Sequence, residues 1–547
     1  TYVRREQTET AFDLQMVCLA GRRAVLDGLS TALAAGHESA ASLATDALQR
    51  LPDVADCEDT ERLLLGLPPP ARPEVRQRLA ELEASLHRSI ALGDLGAVVD
   101  AETLAVEVLD TARVIGYAPF IGRALTQVGA AQAANGKEDL GVETQLAGLE
   151  ELMAAGADLD VAKAASRLVY TVSQRTHRYE AADIFYRISR AAQRRAGAGE
   201  GMRASLLINY GQSLASRGRA EEGLEMVKEG VEICGRIYGL DSLTYARARL
   251  STGPALYDLG RYDELAQTHD EVVAIYHALY GADHPQTLRL LRRTAVVEFV
   301  RGEFKVARAQ FQRAIVAAER DLGPEHISVV DLRGNLGLVY TALGEFDAAA
   351  GELDVVLTRY SQEYGETVGV GEYLINRAAV ETARGRMSVA ATFLERARTI
   401  YAAAPDLGGH LGTVLIELGE VALASGDPIL AVQQATRGYK LMLEDYGVDH
   451  PRTRAGFIKL LDILIRAGRA DLARVQLDGS AALVAEAKRP DLRASLDFVR
   501  ARLTFAEQPS VAREMAADAR NTLALDKYRF VYLRMRQDID NWLASHE

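Results

Sequence analysis

Gly260-Arg261-Tyr262-Asp263-Glu264 is a tight turn between two apolar stripes, and it recurs along the 547-residue chain. Related turns start at Gly93, Gly136, His177, Gly218, Gly302, Gly344, Gly385, Gly426 and Gly468. Successive starts lie 43, 41, 41, 42, 42, 42, 41, 41 and 42 residues apart, and a degenerate copy starts at Glu507. Spacing this constant marks a repeat array, in which each unit buries its apolar face on its neighbours.

Working outward from the turn, a small residue recurs on either side. Five residues after each start stand Ala182, Gly223, Leu265, Ala307, Ala349, Ala390, Ala431 and Ala473. Seven residues before it stand Gly129, Gly211, Gly253, Ala295, Gly337, Ala378 and Gly419. Small side chains at matched places let two helix axes approach, while larger apolar residues fill the flanks. Around Gly344, the residues Leu332, Leu336, Val339 and Tyr340 form an i, i+4, i+7, i+8 stripe, which Ala349, Leu353 and Val356 continue beyond the turn. Each unit is therefore predicted as a helix A, the turn, and a helix B. With no alternating strand pattern of useful length, the expected fold class is all-α.

Units are joined by linkers such as Tyr280-Gly281-Ala282-Asp283-His284-Pro285-Gln286-Thr287, echoed at 238–244, 322–328, 364–369 and 446–453. Gly281 reads as a helix stop, Asp283 or His284 as an N-cap, and Pro285 as the first helical residue. His284, His326 and His450 hold the same linker place in different repeats, which points to capping rather than metal ligation.

These positions resemble the tetratricopeptide repeat, a helical hairpin of roughly 34 residues. The longer period and the Y-G-x-x-H-P-x-T linker look like the kinesin-light-chain type of that repeat. The resemblance implies a right-handed superhelical solenoid with a concave helix A face. It divides the chain into an N-terminal helical cap or linker at 1–70, about ten repeats at 71–515, and a C-terminal capping helix at 516–547.

Composition narrows the function. Hydrophobic residues make up 48% and charged residues 25%, an ordinary globular balance, and the net charge of −13 argues against a nucleic-acid partner. No apolar run is long enough to span a membrane. Three cysteines without a C-x-x-C exclude a disulfide scaffold or a zinc ribbon, and no cofactor is expected. Cys18 and Cys57 could form a bridge outside the cytoplasm, or pack as buried thiols within it. Cys234 is expected in the core.

Residues 1–66 lack the repeat, and a long helix is predicted over 10–35 with a second near 40–50. Their series Arg5-Glu6-Gln7-Thr8, Asp13-Leu14-Gln15-Met16-Val17-Cys18-Leu19, Arg22-Arg23, Leu51-Pro52 and Cys57 is similar to the region behind the catalytic domain in myxobacterial-type serine/threonine protein kinases. That resemblance implies the sensor or docking region of such a kinase, cut from a longer protein, with a membrane helix upstream and this region outside the cytoplasm. The alternative is a free-standing adaptor made of the same repeats. No V-A-I-K, D-F-G or A-P-E occurs and neither His87-Arg88 nor His177-Arg178 is followed by Asp, so no catalysis is assigned.

Counting thirteen and nine residues back from each turn gives the outward helix A positions. They hold Asn209, Arg247, Ser251, Arg289, Arg293, Asp331, Asn335, Glu372, Asn376 and Lys459. The resemblance places them on the concave wall, with Asn335 and Asn376 where that family contacts a peptide backbone. Asn offers both donors and an acceptor to an extended chain, and Arg suits a carboxylate. The expected partner is a protein or an extended acidic peptide, with Arg247, Arg289 and Arg293 forming a positive patch unless Asp331 or Glu372 neutralises it. The plain alternative is solvated polar residues on exposed faces.

Overall fold

The computed structural model describes residues 9–34, 57–58, 70, 72–176, 178–282, 284–404, 407–448, 450–479, 490–523 and 533–546. Helices hold nearly all of them, and no strand occurs among the described residues. The chain forms two compact units, one of residues 1–258 with 274–279, the other of residues 259–273 with 280–547. The expected all-α array of helical hairpins is what is found.

In the first unit, α1 (Glu9–Ala34) packs on α2 (Pro73–Asp94) through Leu29 and Ala32 against Leu92 and Leu95. Then follow the hairpins of α2 with α3 (Val98–Ile115), α4 (Ala118–Ala134) with α5 (Glu138–Ala154), α6 (Asp158–Gln174) with α7 (Tyr179–Arg195), and α8 (Glu200–Ser216) with α9 (Ala220–Tyr238). The next helix A is broken into α10 (Leu243–Leu250) and α11 (Gly253–Asp258). Pro254 lacks the N–H that an unbroken helix would need there. Its predicted single helix therefore stops at Ser251, and Ser251 is the C-cap of α10. Helix α12 (Tyr262–Tyr280) follows in the chain.

The second unit continues with α13 (Pro285–Arg301) and α14 (Phe304–Leu322), α15 (Ile327–Leu343) and α16 (Phe346–Tyr364), and α17 (Val368–Ala383) and α18 (Met387–Ala402). Next come α19 (Gly408–Ala424) with α20 (Pro428–Tyr446), then α21 (Pro451–Arg466) with α22 (Ala470–Gly479). The degenerate turn at Glu507 joins α23 (Pro490–Thr504) to α24 (Pro509–Leu523), and α25 (Leu533–Ser545) packs on α24. The expected boundary at 515/516 thus falls inside α24. The second N-terminal helix near 40–50 lies outside the described residues.

The repeat signature has a physical cause at each point. Gly344 ends α15 at φ 76°, and the Glu345 N–H donates back to Tyr340 at 2.9 Å while Gly344 donates to Thr341 at 3.1 Å. This closes the helix through a left-handed residue that a side chain would strain. The stripe around it is core, with Leu353, Val339 and Val356 fully buried. Burying one such side chain contributes about 1.5–3 kcal/mol. Where two glycines meet, the helices touch backbone to backbone: a Cβ on Gly438 would lie 2.5 Å from the Gly412 carbonyl oxygen.

The linker residues divide the labour of stopping one helix and starting the next. Tyr280 stacks on His284 at 4.8 Å, and Tyr446 on His450 at 4.5 Å. His284, His326 and His450 each accept through Nδ1 from the backbone N–H two residues on, at 3.2, 3.1 and 3.1 Å. Thr287 ties the linker shut by donating to the Gly281 carbonyl at 2.8 Å.

Candidate functional site

Helices A of successive hairpins touch one another within each unit, as α4 does α6 and α19 does α21. Equivalent positions therefore meet across about one repeat. In the first unit Arg123 on α4 donates to both oxygens of Glu83 on α2, at 2.7 and 2.8 Å. Burial alone would raise the Glu83 carboxyl, but Arg123 and His87 hold it down at about 2. Beside this pair runs a chain in which Arg167 on α6 donates to Gln127 at 3.2 Å, Gln127 to Ser89, and Ser89 to the Ala101 carbonyl. One repeat on, Asn209 donates to Ser166.

In the second unit the same ladder opens into a cavity of about 360 Å³ between α17, α19 and α21. Its floor is Ile375, Ile416 and Met442, and its rim carries Glu372, Asn376, His410, Thr413, Glu417, Arg452 and Lys459. Gly456 keeps the floor low, since a Cβ there would meet the Met442 sulfur at 2.7 Å. Rim charges cancel in pairs: Lys459 with Glu417, and Arg452 with Glu372 at 3.8 Å. His410 lies against the Tyr446 hydroxyl at 2.9 Å and Arg452 at 3.1 Å. Burial and Arg452 lower its pKa, against the opposing pull of Glu372 and Asp445.

The expected contact residues fall into distinct situations. Asn376 and Lys459 come together at the cavity, with Glu372 beside them. Asn335 stands half-buried one helix A earlier. Arg289 and Arg293 are exposed on α13, and neither forms an ion pair among the described residues. Asp331 does not neutralise them. It accepts from the Tyr360 and Tyr373 hydroxyls, whose pKa values are driven up by burial and by that carboxylate. Glu372 faces Arg452 and His410 instead. Asn209 is engaged by Ser166, and Ser251 by the Arg247 carbonyl at 3.2 Å. Arg247 and Ser251 belong to the first unit, Arg289 and Arg293 to the second.

Sequence reasoning missed His410, Thr413, Glu417 and Arg452, and in the first unit Arg123, Gln127 and Arg167. Thr413 and Glu417 stand thirteen and nine residues before Gly426, so continuing the count would have found them. Arg167 stands ten residues before His177, and that one-residue offset hid it.

No group of three or more His, Cys, Asp or Glu side chains is placed to hold a metal among the described residues. Among them, too, no helix is long and apolar enough to cross a membrane. Cys18 and Cys57 are joined in a disulfide with Cα atoms 5.6 Å apart. Cys234 is a free, buried core thiol, and burial raises its pKa.

The tetratricopeptide-repeat family model matches residues 253–319. Residues 253–319 are thus similar to that repeat family. Among curated proteins, the human clustered mitochondria protein homolog is 22% identical over 182 residues, which cover 33% of this chain and 14% of that protein. The chain therefore spans about a seventh of that relative's length. Among solved structures, the kinesin light chain TPR-like repeats of Podosopora anserina are 20% identical with a TM-score of 0.34, covering 37% of this chain and 97% of that one. The apo form of RapI is 13% identical with a TM-score of 0.48, covering 67% and 98%.

Proposed function

We propose that this chain is a non-catalytic protein-binding scaffold that takes an extended acidic segment along the helix A face of its second unit. One observation carries the reading. A column of helix A side chains runs from Arg289 and Arg293, two arginines without ion-pair partners among the described residues, past Asn335 and Asn376 to a cavity with an apolar floor and a charge-balanced rim. The arginines suit carboxylates, the asparagine amides suit a peptide backbone, and the cavity suits one apolar side chain. From α13 to α19 is three helix-packing distances of about 8–10 Å. That corresponds to roughly eight residues of extended chain between the acidic group and the apolar anchor.

The resemblance of residues 1–66 supports a setting as the docking region of a bacterial serine/threonine kinase. A free-standing adaptor would use the groove in the same way, and the reading frame upstream of Thr1 separates the two. The groove itself is tested by R289E combined with R293E. A partner isolated by pull-down is expected to lose affinity and salt dependence toward this variant, while helicity and melting temperature stay near those of the parent. Unchanged affinity and salt dependence would refute the assignment.

A further inference from the structure

Side chains from several helices of the second unit converge on one imidazole. His410, near the start of α19, is only 20% exposed. Its Nδ1 lies 2.9 Å from the Tyr446 hydroxyl on α20, and its Nε2 lies 3.1 Å from Nη1 of Arg452 on α21. The same Nη1 donates to the Tyr446 oxygen at 3.4 Å. On α17, Glu372 stands 3.8 Å from His410 and 3.8 Å from Arg452. Tyr401 of α18 stacks on the imidazole at 5.3 Å. Asp445 of α20 accepts from the Gly409 N–H at 2.8 Å, and a Cβ on Gly409 would run into the Tyr446 ring. The backbone of α19 is thus shaped to seat that ring. His450, the N-cap of α21, stacks on its far end of the cluster, against Tyr446.

This geometry fixes where the imidazole proton sits. A guanidinium has donors only and keeps its charge, so Nε2 accepts from Arg452 and carries no hydrogen. Nδ1 then carries the hydrogen and donates to the Tyr446 oxygen. A second proton, on Nε2, would set one N–H against another. Arg452 would have to turn away, and Glu372 would accept from the new N–H. Burial and Arg452 oppose that proton, whereas Glu372 and Asp445 favour it, and the net effect places its uptake below the usual 6.5.

We infer that His410 is an acid-released latch on the rim of the second-unit cavity. Unprotonated, it ties Arg452 to Tyr446 and so holds α21 to α19 and α20. Protonated, it pairs with Glu372 and releases Arg452 from the mouth. Arg452 lines the cavity together with Ile375, Ile416 and Met442, so its release uncovers the apolar floor. The inference rests on the reading of this cavity as the apolar anchor of the groove, and adds that the anchor is retained near neutral pH and exchanges faster in acid.

The test uses the full chain without a partner, so it stands whether or not the groove binds one. A carbon-13 label on the methionine methyls, with Met442 assigned through M442L, reports on the floor. The small neutral nitroxide TEMPOL reports, by broadening that resonance, how open the mouth is. Between about pH 7.5 and 5, the range in which imidazoles titrate, the parent's Met442 methyl should shift with a midpoint below 6.5 and broaden more as the pH falls. H410Q, which offers Arg452 an acceptor that does not titrate, should show neither change. R452Q should show the acid-type resonance and broadening already at the upper pH, and E372Q should move the midpoint lower. A Met442 resonance that does not move in the parent would overturn the latch. So would a titration that persists in H410Q but vanishes in H450Q, or one that R452Q leaves at full amplitude. The groove reading fails separately, through unchanged partner capture by R289E combined with R293E.

Discussion

His269 should make the start of the second unit acid-sensitive, by an amount the structure sets. It is 6% exposed on α12, and its Nδ1 has no hydrogen-bond partner among the described residues. Burial, and after it the charge of Arg293, lowers its pKa from the usual 6.5 to about 4. The native state thus binds this proton less tightly than the unfolded chain does. Stability from this group is complete above pH 6.5 and is lost as the pH falls from 6.5 toward 4. Each pH unit in that window costs about 1.4 kcal/mol, so the full loss is about 3 kcal/mol, of which about 2 kcal/mol has appeared at pH 5. His410 and His450, also lowered by burial and Arg452, act in the same direction at the other end of the unit.

A readout must therefore be local, because repeat arrays open piecewise and one global midpoint would blend these sites. Hydrogen exchange of peptides from α12 and α13, compared between pH 7.5 and 5 after correction for the intrinsic rate, isolates His269. The parent is expected to lose protection by about thirtyfold, the equivalent of about 2 kcal/mol, whereas H269Q should lose little. R293Q should recover less than half of the pKa depression, because burial is the larger cause. A His269 ring proton titrating near pH 6.5 would refute the reasoning, as would equal loss of protection in H269Q and the parent.

Two further outcomes follow from packing and covalent chemistry. G438A places a methyl 2.5 Å from the Gly412 carbonyl oxygen and 2.9 Å from the Ile416 side chain, which lines the cavity. Overpacking of this kind costs about 1–3 kcal/mol, and thermal denaturation should show it as a lower melting temperature, alongside weaker partner capture. The Cys18–Cys57 bond spans a sequence separation of 39, so in the chain-entropy account its reduction removes about 4 kcal/mol. Exchange in α1 should rise on adding reductant, and a non-reducing peptide map of protein from the native host should show the two cysteines joined. Free thiols at both positions there would count against an oxidising compartment.

How far the sequence could be read follows from which interactions are local. The turn, its glycine, the small residues beside it and the histidine caps act within a few residues of one another, so their spacing was legible, and helix A and helix B follow from it. The break at Pro254 was legible too, since proline acts on its own helix, yet the strength of the repeat pattern masked it. The site was legible only as columns. Arg289 and Asp331 stand on neighbouring helices A and looked like partners, but Asp331 turns to Tyr360 and Tyr373 and leaves the arginine without it. Arg123 and Arg167 are both arginines of helix A, 44 residues apart. One meets Glu83 and the other only Gln127, because the preceding helix A offers a carboxylate to the first and an amide to the second. Whether a cation in such a wall is spent or available depends on the residue about 40 positions earlier in register, and a one-residue offset like that before His177 is enough to change the answer. The binding character of a solenoid thus lies in the mismatches of its ladder, where the periodicity that reveals the fold carries no information.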